Sequence, residues 1–117
     1  MGIPRANRLR HNNDFRRVRA SGRSWANHWL VTSVLPNDLG RVRVGVSASR
    51  RVGGAVQRVR AKRLIREAMR PRLPQVVGGW DVIFIARTPL ASAQFRQVDQ
   101  AVGQLLHRAG LLAETRV

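Results

Sequence analysis

Residues 55–70 constrain the fold more than any other stretch. Placed on a helix at about 100° per residue, Ala61, Leu64, Ile65 and Ala68 gather on one side, with Gln57 at its border. Arg58, Lys62, Arg63, Arg66 and Arg70 spread over the opposite side, with Arg60 at one margin. One side must therefore be covered by other elements, while the other side must stay open. Like charges at i,i+4, as in Arg58, Lys62 and Arg66, destabilise a helix unless an anion neutralises them. Glu67 is the only acid between Leu39 and Trp80, and it is expected to pair with a neighbouring arginine. A face of nearly one sign points to nucleic acid rather than to a merely solvated surface.

The flanking sequence supplies the surface on which this helix packs. Residues 41–49 alternate: Val42, Val44, Val46 and Ala48 face one way, Arg43, Gly45, Ser47 and Ser49 the other. Residues 25–35, rich in aromatic and β-branched side chains, predict a strand. With the turn at 36–40 the two read as an antiparallel hairpin. The apolar run Val82-Ile83-Phe84-Ile85-Ala86 predicts a buried strand over 81–87. Two further helices are expected. One covers 14–20, with Phe15 and Val18 on one face, Asn13 or Asp14 as its cap and Ser21-Gly22 as its stop. The other covers 92–109, with an apolar stripe of Phe95, Val98, Val102, Leu105 and Ala109. Gly103 inside it costs roughly 1 kcal/mol relative to Ala. The reading is one α+β domain over 14–112, helices packed on a small sheet, with a flexible basic arm at 1–13 and a tail at 113–117.

Composition narrows the function. Lys plus Arg number 22 against 6 Asp plus Glu, a formal net charge of +16. Lys62 is the only lysine; arginine grips phosphate with a planar fork. There is no cysteine, which excludes disulfides and thiolate metal sites and fits a cytoplasmic protein. No apolar run has the length of a membrane span, and residues 1–10 lack the apolar segment of a secretory signal. The acids Asp14, Asp38, Glu67, Asp81, Asp99 and Glu114 are scattered, and His11, His28 and His107 lack metal-ligand spacing. A metal-dependent protein nuclease would need converging carboxylates, so none is expected. Phosphate-loop, dinucleotide and nucleophile motifs are missing too. Trp25, Trp29 and Trp80 are expected in the core or at its edge. A ribosomal or other structural RNA-binding protein remains open on composition. A DNA-binding helix fits less well, because Gln57 is nearly its only base-reading side chain.

Residues 45–67 decide further. Arg50-Arg51, then Gly53-Gly54-Ala55-Val56, then Arg58-Val59-Arg60 with Lys62-Arg63 and Arg66-Glu67, closely resemble the signature of the bacterial ribonuclease P protein family. Asn7-Arg8-Leu9 with Asp14-Phe15, the stretch 22–27, and 81–87 followed by Thr88-Pro89 resemble the same family, so the likeness spans nearly the whole chain. Two positions depart from it: Val59 stands where the family usually has Asn, and Gly54 where Asn is also common.

The resemblance implies an αβββαβα order, with 24–27 as an additional strand. It implies a small, mostly antiparallel sheet in a ribosomal-protein-S5-domain-2-like sandwich, with a left-handed βαβ crossover through the basic helix. It also implies a non-catalytic subunit of ribonuclease P. Such a subunit joins ribonuclease P RNA, binds precursor tRNA and assists endonucleolytic removal of the 5′ leader. Mg²⁺ ions bound by the RNA do the chemistry; no cofactor on the protein, protein partner or membrane is implied. Two surfaces carry over. Arg50, Arg51, Arg58, Arg60, Lys62, Arg63 and Arg66 match positions that contact the catalytic RNA. Phe15, Arg19, Val31 and Ser33 match a cleft for the single-stranded leader. Phe15 is either a stacking ring or a core anchor, Arg19 replaces an aromatic found in many relatives, and Val31 read from sequence alone is a core residue.

Overall fold

The computed structural model describes residues 2–112, and the tail expected at 113–117 lies outside the described residues. In chain order the elements are α1 (Asn12–Ser21), β1 (Arg23–Ala26), β2 (Leu30–Pro36), β3 (Arg43–Ser47), α2 (Ala55–Met69), β4 (Trp80–Ala86) and α3 (Phe95–Arg108). Short 3₁₀ turns at Arg70–Gln75 and Thr88–Ser92 flank β4. This is the αβββαβα order that the resemblance implies.

The single strand expected at 25–35 is two strands. Asn27 breaks it: its Oδ1 accepts the backbone N–H groups of Trp29 and Leu30 at 3.0 and 3.1 Å, an Asx turn that reverses the chain. β1 and β2 then pair antiparallel, with Trp25 opposite Thr32.

The expected hairpin between 25–35 and 41–49 does not form. The sheet order is β1-β2-β4-β3, so β4 lies between the two strands, antiparallel to β2 and parallel to β3. The reason is burial. Val82, Ile83 and Phe84 are fully buried, and such a continuous apolar strand is stable only where both faces are covered. Arg43 and Ser47 suit an edge. β3 and β4 are joined through α2, the crossover unit that the resemblance implies.

Helices α2 and α3 cover one sheet face. Ile65, Met69, Val102 and Leu105 pack there with Leu30, Val34, Val44 and Phe84. Trp25, Trp29 and Trp80 border this core half-buried, as expected. The opposite face is covered only in part, by α1 and the N-terminal segment, where Val18 and Leu9 meet Ile83.

That packing corrects the reading of 1–13 as a loose arm. Ile3 and Leu9 are buried, and the Leu9 N–H donates to the Val44 carbonyl at 2.9 Å, which docks the segment on the β3 edge. Helix α1 begins after His11, with no side-chain cap, so neither Asn13 nor Asp14 plays that part. α3 begins at a capping box between Gln94 and Gln97. That box puts Phe95 in the first turn, 42% exposed, and outside the stripe, which instead includes Ala101 and Leu106. Gly103 has a packing reason: a Cβ there would meet the Arg72 guanidinium, which donates to Ala68 O at 2.7 Å and Asp99 Oδ1 at 2.6 Å.

Candidate nucleic-acid interface

The half-covered sheet face forms a cleft of about 870 Å³. Gly45, Ser47 and Ile85 form its floor, α1 and the N-terminal segment one wall, and Arg66 of α2 the other side. Among the described residues five arginines line it, Arg8, Arg10, Arg16, Arg19 and Arg66, and no acid does. Phe15 lines it as well, while packing half-buried against the Leu9, Val18 and Ile83 cluster. Phe15 is therefore a core anchor whose ring also borders the cleft. Gly45 makes this possible, because a Cβ there would collide with the ring.

Two of the four residues expected in this cleft are in it, Phe15 and Arg19. Val31 and Ser33 are not. Val31 is half-buried and pairs with Ile85 one strand beyond the floor. Ser33 is 3% exposed, and its hydroxyl shares a 2.6 Å hydrogen bond with Ser24, which seals it. Arg10 and Arg16 were not singled out from sequence. The basic run at the N-terminus was the signal, once that run is read as packed rather than loose.

A buried carboxylate fixes α1 over the sheet. Asp81 is fully buried on β4. Arg43 donates to it twice, Nε to Oδ1 at 2.8 Å and a terminal nitrogen to Oδ2 at 2.7 Å. Arg17 of α1 donates to Oδ2 at 2.5 Å and Asn37 to Oδ1 at 2.9 Å. Burial pushes its pKa up, but the hydrogen bonds from Arg43, Asn37 and Arg17 outweigh burial and bring it down to about 2. The pKa values of Arg43 and Arg17 are raised, chiefly by their hydrogen bonds to Asp81, so all three groups stay charged.

The α2 face differs in detail from its expected form. Arg63, Arg66 and Arg70 are exposed along it. Arg50 and Arg51 are exposed on the preceding turn, which Val52 anchors in the core. Lys62 is half-buried at the margin. Arg58 does not stand on the open side: at about 100° per residue it falls within about 20° of the buried Ile65. It is half-buried, and its Nε is buried without a partner among the described residues. Arg60 is turned inward as well, donating to the carbonyls of Ala91 and Ala93 at 3.3 and 2.7 Å. It ties α2 to the turn before α3. Val56 and Val59 are 79% and 56% exposed among the cations, so Val59 stands outside the core as its helix position predicts. Glu67 is exposed and makes no ion pair among the described residues, contrary to expectation. Among those residues no three His, Cys, Asp or Glu side chains gather as a metal site.

An arginine-lined cleft over a half-open sheet, beside an exposed helix face of nearly one sign, defines a small α+β RNA-binding protein. The family model described as Ribonuclease P matches residues 3–110. The ribonuclease P protein component of Herpetosiphon aurantiacus is 48% identical over 109 residues, covering 93% of this chain and 89% of that protein. That of Clostridioides difficile is 38% identical, covering 95% and 98%. The solved structure of the Staphylococcus aureus RNase P protein superposes with a TM-score of 0.85 at 31% identity, covering 93% and 100%. The chain belongs to the ribonuclease P protein family. It is the protein subunit of an endoribonuclease whose other component is ribonuclease P RNA.

Proposed function

We propose that the Phe15 cleft receives the single-stranded 5′ leader of precursor tRNA, while the exposed arginines of α2 and the 50–51 turn hold the catalytic RNA. One observation carries the reading: among the described residues the cleft combines an aromatic ring with five arginines and no acid. A splayed base stacks on a ring and its backbone runs along guanidinium groups, the usual way of holding a single strand without reading its sequence. Arg66 lines the cleft and also lies on α2, so one side chain adjoins both RNAs. In this reading the protein binds and positions, and Mg²⁺ held by the RNA supplies the hydrolytic chemistry that frees the mature tRNA 5′ end. In this reading the assembly works in the cytoplasm. Among the described residues no helix is long and apolar enough to cross a membrane.

The test is reconstitution with a bacterial ribonuclease P RNA and precursors of different leader length. Arg10→Gln with Arg19→Gln is expected to lower kcat/KM for a precursor with a leader of several nucleotides and to leave a one-nucleotide leader unaffected. An equal loss on both substrates would place the leader elsewhere.

A further inference from the structure

A second cationic and aromatic surface lies away from both of these, where α3 meets the β1–β2 turn. Arg87 donates to the Asn27 carbonyl at 2.6 Å and Arg108 to the Ala26 carbonyl at 3.2 Å. Two guanidinium groups are thus held on consecutive carbonyls of one turn. Both are exposed, and neither has a carboxylate within ion-pair distance among the described residues. A carbonyl orients a guanidinium without neutralising it. Each keeps further N–H donors free, and two positive charges anchored on adjacent residues attract an anion to this end of β1.

Beside this pair runs a groove of about 400 Å³, lined by Trp29 and by Gln97, Gln100 and Gln104 on successive turns of α3. Trp29 is half-buried, wedged against the core, with His28 edge-on to its ring at 4.6 Å. The Asn27 amide donates to Gln104 Oε1 at 3.0 Å, which uses the glutamine's acceptor and leaves its N–H₂ group to donate. Gln97 is set the same way, its Oε1 accepting from the backbone N–H of Gln94 at 2.9 Å. The groove therefore offers a fixed aromatic surface and oriented amide donors, and Asn27, which bonds Gln104 and whose carbonyl anchors Arg87, connects it to the guanidinium groups. β1 and β3 are opposite edges of the sheet; this site adjoins β1, whereas the Phe15 cleft and its Arg66 wall adjoin β3.

We propose that the Trp29 groove, with Arg87 and Arg108, is a further RNA-binding site that takes an unpaired nucleotide. The phosphate sits between the two guanidinium groups, the base lies against Trp29, and a carbonyl oxygen on the base accepts from Gln104. Guanine, uracil and cytosine carry such an oxygen and adenine does not, so the site disfavours adenine. The nucleotide belongs either to the catalytic RNA or to the bound substrate, and the chemistry is the same for both. The inference extends the assignment as an RNA-binding subunit but does not depend on which RNA fills the Phe15 cleft.

The chain has no cysteine, so Gln100→Cys and, separately, Arg63→Cys each carry one thiol for an iron–EDTA cleavage reagent. The full-length variants are assembled with ribonuclease P RNA and precursor tRNA, labelling one RNA at a time. Localised cuts from position 100, in either RNA, are expected, and the labelled strand identifies the source. Adding Arg87→Gln and Arg108→Gln is expected to abolish those cuts, weaken assembly roughly tenfold and flatten the salt dependence by about two. It should leave the cuts from position 63 in place, which also shows that the variant is folded. Cuts from 63 with none from 100 overturn the groove proposal and leave the α2 reading standing. Cuts from 100 with none from 63 do the reverse, and cuts from neither overturn both.

Discussion

Replacing Asp81 with Asn tests the physical core of this structure. The substitution keeps the shape and removes one charge. Three side chains now donate to that carboxylate, Arg43 twice. An amide can accept on one side only, and its N–H₂ group would face other donors. Arg43 would be left beneath α1 with only Asp14, at 3.9 Å, as a counter-charge. Breaking a buried pair in this way typically costs about 3–5 kcal/mol. For a domain of this size that lowers Tm by roughly 10–25 °C.

The acid limb gives an independent measure of the same network. Asp81 is held at about 2 against an ordinary 3.8, so the folded state resists protonation more than the unfolded chain. The stability linked to this difference is fully present above pH 3.8 and is lost as pH falls through about 2. Its size is about 2 kcal/mol. Chemical denaturation from pH 6 to pH 2 is therefore expected to show a steeper acid loss for the natural protein than for Asp81→Asn. A variant within about 1 kcal/mol of the natural protein at pH 6, with an unchanged acid limb, would refute the account. α1 would then be held by its apolar contacts alone.

Four further outcomes follow from particular side chains. Arg63→Gln is expected to leave Tm unchanged and to flatten the salt dependence of catalytic-RNA binding by about one, measured by titration at several salt concentrations. Arg60→Gln is expected to behave oppositely, because its guanidinium serves Ala91 and Ala93: it lowers stability by roughly 1–3 kcal/mol and leaves the salt slope alone. Gly45→Ala should destabilise the fold and displace the Phe15 ring, read by melting and by loss of leader-dependent kcat/KM. RNA-free protein is expected to cleave no RNA at any Mg²⁺ concentration, checked on a preparation treated to remove copurifying RNA.

What could be read from the sequence depended on the range of the interaction involved. Most of the faces of α2 were legible because helical periodicity is local: Ala61, Ile65 and Ala68 are buried and Arg63 is open, as their spacing dictates, whereas Arg58 was assigned to the open side although the same spacing puts it beside Ile65. Strand pairing was not. The turn at 36–40 reads as a hairpin, yet β4, more than 40 residues further on, takes the place between β2 and β3. Periodicity reports a face and not a neighbour. The N-terminal segment was misread because Ile3 and Leu9 are isolated apolar residues in a basic run, and no periodic pattern marks them as core. The site divided along the same line. The exposed arginines followed from charge, but the inward turn of Arg60 depends on carbonyls about 30 residues away.

The arginine chemistry has one further consequence. With six acids for 22 basic residues, the chain cannot neutralise itself, and it places many guanidinium groups on backbone carbonyls instead. Arg8, Arg41, Arg60, Arg87 and Arg108 all donate to main-chain oxygens. Such bonds fix where the charges point and leave their field intact, so self-repulsion persists in the free protein. A polyanion bound to the folded state removes that repulsion and stabilises it by linkage, by about 2.7 kcal/mol when free ligand reaches a hundred times its Kd. Tm is therefore expected to rise with ribonuclease P RNA concentration. Val59→Asn isolates the non-electrostatic part of that contact. Because Val59 is 56% exposed, little apolar burial is lost and the variant should melt near the natural protein when free. Bound to RNA it should melt higher, by the net value of one restored hydrogen bond, about 0.5–1.5 kcal/mol, with an unchanged salt slope. A large drop in the free Tm would mean that α2 is rotated from the orientation described, and that Val59 belongs to the core rather than to the RNA face.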